Sequence, residues 1–72
     1  MNSREIMERI KIILEQEING AVYNYHVAKK LGIKPISFGT MLKRNKIPFK
    51  EIILFSLKRR LSLDYILLGL IK

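Results

Sequence analysis

An all-α fold of about five short helices in one domain follows from three features of the chain. Apolar residues recur three or four positions apart in segment after segment. Glycine, asparagine or proline stands at three of the four joints, and strand signals are weak. Seventy-two residues make a single domain, 1–72, and an apolar content of 49% supplies its core.

The elements can be justified in order. From Ser3 to about Glu17, Ile6, Met7, Ile10, Ile13 and Leu14 form one buried stripe at helical spacing. Asn2 or Ser3 caps its first turn, with Glu5 three residues after Asn2 as in a capping box. Asn19-Gly20 breaks this helix. A second helix, about Asn24 to Leu31, buries Val27, Ala28 and Leu31, and Gly32 supplies the positive φ that ends it. Pro35 suits the first turn of a third helix, where its missing N–H is not needed. That helix runs to about Arg44 and buries Phe38, Met41 and Leu42, with Asn45 as a left-handed exit. Pro48 opens a fourth helix whose apolar stripe is read as Phe49, Ile52, Ile53 and Leu57. Ser62 caps a short fifth helix, Leu63 to Leu68, closed by Gly69.

Charge is distributed unevenly along this scaffold. Residues 1–28 carry three basic and four acidic residues, a net of −1; residues 29–60 carry ten basic residues and one acid, Glu51, a net of +9; residues 61–72 balance. A solvated surface kept for solubility would mix the signs. A block of 32 residues with one acid points to a polyanionic partner, and nucleic acid is the reading it favours.

Several classes are excluded. There is no cysteine, hence no disulfide framework and no thiolate metal site, which fits a cytoplasmic protein. Met1 to Glu8 is polar and charged, unlike a signal peptide, and the apolar run Tyr65 to Ile71 is far short of the ~20 residues that span a membrane. His26 has no acid within a turn and reads as a partly exposed helix residue, not a ligand or base. Ser37, Ser56 and Ser62 lack a base partner, and no glycine-rich phosphate loop is present. Neither catalysis, a cofactor, a metal nor a small-molecule substrate is expected.

Residues 24–44 meet the demands of a helix-turn-helix: two helices, a turn of about four residues containing glycine, and a small residue, Ala28, where they cross. Phe38 and Met41 lock the second helix inward, leaving its outer face to enter a DNA major groove. Base readout is therefore assigned to Lys34, Ile36, Gly39, Thr40 and Lys43, and phosphate contact to Asn24, Tyr25, Lys29, Arg44 and Lys46. The structural alternative is an αα-hairpin whose lysines are merely solvated. Lys58 to Arg60 sit at the far end of helix four, where they either touch DNA or simply complement that helix's negative end.

Residues 27–69 resemble the N-terminal DNA-binding domain of phage CI-type repressors. In that family a helix-turn-helix leads into a Lys-Arg-x-x-Ile-Pro junction, an amphipathic helix and a Ser-Leu-Asp-aromatic-hydrophobic-Leu-x-Gly ending. The chain carries Lys43-Arg44-Asn45-Lys46-Ile47-Pro48 and Ser62-Leu63-Asp64-Tyr65-Ile66-Leu67-Leu68-Gly69 at the matching spacing. The resemblance implies a lambda-repressor-like fold and a transcriptional repressor or regulator. Three departures stand out: Lys34-Pro35-Ile36 replaces the usual Ser or Thr entry to the recognition helix, Met41 replaces an inner aromatic residue, and Arg60 replaces a helix-ending glycine.

The expected partner is double-stranded DNA with a near-palindromic operator, bound by a homodimer. Its dimer surface would be the apolar C-terminal segment, about 62–71, through Tyr65, Leu68, Leu70 and Ile71. The alternatives are a basic helical protein-interaction module, or a nucleic-acid binder without sequence preference.

Overall fold

The computed structural model describes residues 1–70 and contains five helices: α1 (Ser3–Ile18), α2 (Asn24–Leu31), α3 (Pro35–Lys43), α4 (Phe49–Arg59) and α5 (Leu63–Leu68). Among the described residues there is no strand. Every boundary lies within a residue of the sequence expectation, which is the ordinary uncertainty of a fraying helix end.

The starts follow from side-chain chemistry. Asn2 Oδ1 accepts from the Arg4 and Glu5 N–H groups at 2.9 and 3.3 Å, satisfying two donors that the first turn of α1 leaves open. Ser62 Oγ does the same for Tyr65 N–H at the start of α5. At α2 the capping group is His26, whose Nδ1 accepts from Tyr23 N–H at 3.3 Å. That structural task suits a half-buried histidine on a helix.

Each helix is followed within two residues by one with positive φ: Asn19, Gly32, Asn45, Arg60 and Gly69. Only two of the five are glycine. A Cβ at Gly69 would sit 2.8 Å from the Arg9 guanidinium, which would have to shift to admit it. That guanidinium reaches across from α1 to donate to the Ile66 carbonyl at 2.9 Å. Arg60, at φ 53, adopts the left-handed conformation with a Cβ present, at a cost of roughly 1 kcal/mol.

α1 packs against α2, α3 and α5, and α2 packs against α3 and α4. The five stripe residues expected of α1 are all buried, as are Val27, Ala28 and Leu31 of α2. Ala28 is fully enclosed on the helix that packs against both α3 and α4. From α3, Phe38 is buried, whereas Met41 and Leu42 are half-buried against the core edge.

One expectation is overturned. The buried face of α4 is Ile52, Phe55 and Ser56, while Phe49, Ile53 and Leu57 are exposed. Residues 52–55 are apolar without a break, so spacing alone allows two faces. Tertiary partners choose between them. Arg59 lies 4.0 Å over the Phe55 ring and binds Glu17 at the end of α1, with Nε 2.7 Å from Oε2. Ser56 can be buried because its hydroxyl donates to the Ile52 carbonyl at 3.0 Å.

Candidate nucleic-acid interface

α3 presents its surface because of where its one large aromatic residue points. Phe38 is driven into the core, with Met41 and Leu42 on the same side, so the residues at i, i+4 and i+7 on the opposite side, Ile36, Thr40 and Lys43, face solvent. Ile36 is 86% exposed, a costly place for a β-branched apolar residue with nothing to cover it. Gly39 lies beside them. Its backbone is helical, and a Cβ built there would meet nothing within 4 Å. Glycine in a helix interior costs about 0.5–1 kcal/mol relative to alanine, and here neither φ nor packing calls for it. Lys34 precedes the helix, and no side chain among the described residues caps the first turn of α3.

The two flanks of this face differ. On one side a shallow groove of about 240 Å³ is lined by Asn24 and Tyr25 of α2 together with Pro35, Phe38, Gly39 and Leu42. The N-terminus of α2 therefore lies directly beside the Gly39 edge of α3. On the other side a groove of about 260 Å³ runs between Ile36, Ser37, Thr40 and Met41 and the two cations Arg44 and Lys46. The turn bearing those cations is tied down. Asn45, left-handed at φ 53, accepts from Ser3 N–H through Oδ1 at 2.8 Å, and Lys46 N–H closes onto the Met41 carbonyl at 3.0 Å. A single asparagine thus joins the start of α1 to the exit of α3 and fixes where Arg44 and Lys46 project.

The charge on this surface is unbalanced locally as well as in sequence. The ion pairs among the described residues are Arg9–Glu5, Lys11–Glu8 and Arg59–Glu17, all involving α1. Lys34, Lys43, Arg44 and Lys46 are all exposed and take part in none of them. Arg59 is withdrawn from the basic surface by Glu17.

The sequence-assigned residues are only partly brought together. Ile36, Gly39, Thr40 and Lys43 share the outer side of α3, with Asn24 and Tyr25 on one flank and Arg44 and Lys46 on the other. Lys29 stands one turn after Tyr25 on α2 and opens onto a different groove, of about 400 Å³, with Lys30, Leu54 and Lys58. Tyr65 is half-buried and Leu68 and Leu70 are 54% and 53% exposed; Ile71 lies outside the described residues.

Sequence reading missed an aromatic cluster at the start of α2. Tyr23 and Tyr25 stack with centroids 6.2 Å apart, and His26 approaches Tyr25 at 4.1 Å. Both tyrosines are more than half exposed. The signal was three ring-bearing residues within four positions, Tyr23-Asn24-Tyr25-His26, a pattern that apolar spacing does not register.

Two short helices that pack together, joined through a left-handed Gly32, with the second helix exposing its outer face, define a helix-turn-helix domain. The chain belongs to the bacteriophage CI repressor helix-turn-helix domain family, whose family model matches residues 6–70. No curated protein and no solved structure matches it. Membership places the chain among DNA-binding regulators of repressor type and bears out the resemblance read in residues 27–69. No helix among the described residues is long and apolar enough to cross a membrane.

Proposed function

We propose that this chain is a cytoplasmic, sequence-specific repressor that inserts α3 into the major groove of double-stranded DNA. The observation that carries this reading is the outer face of α3. It holds an 86% exposed isoleucine and a glycine with no internal purpose, and it is flanked by unpaired cations. A partner that enters closely and carries negative charge accounts for all three.

In this reading Lys43 and Lys34 donate to guanine edges, while Ile36 meets a thymine methyl. Thr40 hydrogen-bonds the Ile36 carbonyl at 3.3 Å, which leaves its methyl as the group to offer a base. Gly39 lets the backbone approach. Asn24, Tyr25, Lys29, Arg44 and Lys46 hold the phosphates on either side and set the register of α3. One recognition helix reads too few base pairs to choose a site in a genome. The working unit is therefore a homodimer, formed through Tyr65, Leu68, Leu70 and Ile71, on a near-palindromic operator. Residues 1–72 act as one DNA-binding domain, and repression follows from occluding polymerase.

The test is the salt dependence of binding to duplex DNA, followed by anisotropy. With about six phosphates neutralised, log K falls against log salt with a slope of about −5. A slope shallower than about −2 contradicts the electrostatic part of the proposal.

A further inference from the structure

The largest unexplained surface lies on α4, not on α3. Phe49, Ile53, Leu54 and Leu57 are 45%, 41%, 51% and 69% exposed. Phe49, Ile53 and Leu57 follow one another at intervals of four residues, so they make a continuous ridge rather than scattered single residues, about 12 Å long at the helical rise. Nothing in α4's own folding requires this. The inward face is complete with Ile52, Phe55 and Ser56, and its C-terminal end is anchored by Arg59 on Glu17. Contiguous exposed apolar ridges of this kind mark association surfaces.

The charge around the ridge selects the occupant. Lys50 follows Phe49 at one end, and Lys58 stands beside Leu54 at the other; both are exposed and neither is in an ion pair. Leu54 and Lys58 also wall the 400 Å³ groove into which Lys29 and Lys30 open, with Glu51 as its one acid. A second copy of the chain fits poorly. Antiparallel pairing of two ridges sets each Lys50 toward the other copy's Lys58, and parallel pairing sets like against like. Nucleic acid would meet the lysines but would leave four large apolar side chains against phosphate.

We propose that the outer face of α4 is a docking site for an acidic amphipathic helix of a partner protein. The partner lays leucine-like residues along the Phe49–Ile53–Leu57 ridge and sets carboxylates against Lys50 and Lys58. This is the helix-in-groove mode, in which apolar anchors supply affinity and edge charges fix orientation. The ridge lies on a different helix from the α3 face, and of the residues assigned to DNA only Lys29 borders its groove.

The probe is a labelled synthetic helix with leucines at i, i+4 and i+7 on one face and glutamates along both edges, followed by fluorescence anisotropy with the whole chain. Binding is expected to be saturable and weakened by salt. Leu57→Ser and Lys58→Glu should each reduce it about tenfold, the loss that accompanies removal of one good interface anchor. Both positions are exposed, and circular dichroism is the check that the helical content is kept. Duplex DNA binding by Leu57→Ser should match that of the unaltered chain.

Three results overturn the proposal. A lysine-edged version of the same peptide could bind equally well, which would mean non-specific apolar adhesion. Binding could be untouched by both substitutions, which would place the peptide elsewhere. Sedimentation could show a dimer that Leu57→Ser dissociates, which would make a second copy the occupant.

Discussion

On α3 the residues turned away from the core are Ile36, Gly39, Thr40 and Lys43; on α4 they are Phe49, Ile53, Leu54 and Leu57. Both helices are held in the same way, each by one buried aromatic residue, Phe38 or Phe55, on a bundle whose shared support is α2. What differs is what remains outside. The α3 face is narrow and small, with a helix-weakening glycine and cations on its flank, and it suits close approach to a polar, negatively charged groove. The α4 face is broad and oily with lysines near its ends, and it suits another apolar surface. Exposure therefore does not mark one kind of site. The size and polarity of what is exposed distinguish a face built for a groove from one built for a helix.

The most disruptive way to break this contrast is to remove the support common to both faces. Ala28 is fully enclosed on α2, and Ala28→Leu should overpack the crossing by ~1–3 kcal/mol. In a domain whose core supplies only ~3–5 kcal/mol, that is enough to lose much of the folded population, and DNA and peptide binding should fall together. Urea denaturation alongside both binding assays checks it. A stable Ala28→Leu protein that binds DNA normally would mean α2 and α3 do not meet at this residue.

Gly39→Ala separates the two faces. Alanine at this open helical position should stabilise the fold by about 0.5–1 kcal/mol while weakening DNA binding, because the new methyl group stands where the duplex must approach. Acidic-peptide binding should not change. Thermal unfolding paired with DNA anisotropy gives the answer, and unchanged or tighter DNA binding would remove Gly39 from the interface.

The smallest effect touches neither face. Arg60→Gly relieves a left-handed residue at the end of α4 and should raise stability by roughly 0.5 kcal/mol, the relief being partly offset by the greater freedom of glycine in the unfolded chain. Both binding activities should stay as they are.

Sequence periodicity was enough for α1, α2 and the joints, because each of those segments carries one apolar stripe and a clear stop. Asn2, Ser62, Gly32 and Asn45 all act as their residue types suggest. The outer face of α3 was legible for the same reason: once Phe38 points in, Ile36, Thr40 and Lys43 must point out. The face of α4 was not, since a run such as Ile52-Ile53-Leu54-Phe55 has apolar residues on every side. The choice is made by tertiary packing, which takes Ile52 and Phe55 into the core, and Arg59 then binds Glu17, 42 positions away. The bond from Ser3 N–H to Asn45 is equally long-range, and no local pattern announces it. Lys29 stands in the basic middle block of the sequence, and only the packing of α2 on α4 shows that it opens onto a second groove.

The central claim is that the outer face of α3 reads sequence while its flanks supply attraction. Selection from random duplex DNA at fixed salt, with the unaltered chain, Thr40→Ala, Lys43→Ala and Lys46→Ala, tests it most directly. The unaltered chain should enrich one near-palindromic motif. Thr40→Ala and Lys43→Ala should each cost ~1–3 kcal/mol on that motif and relax the preference at their own base position, while Lys46→Ala weakens all sequences alike. An even loss across sequences for Lys43→Ala, or no enriched motif at all, would contradict the assignment of α3 as the reading helix.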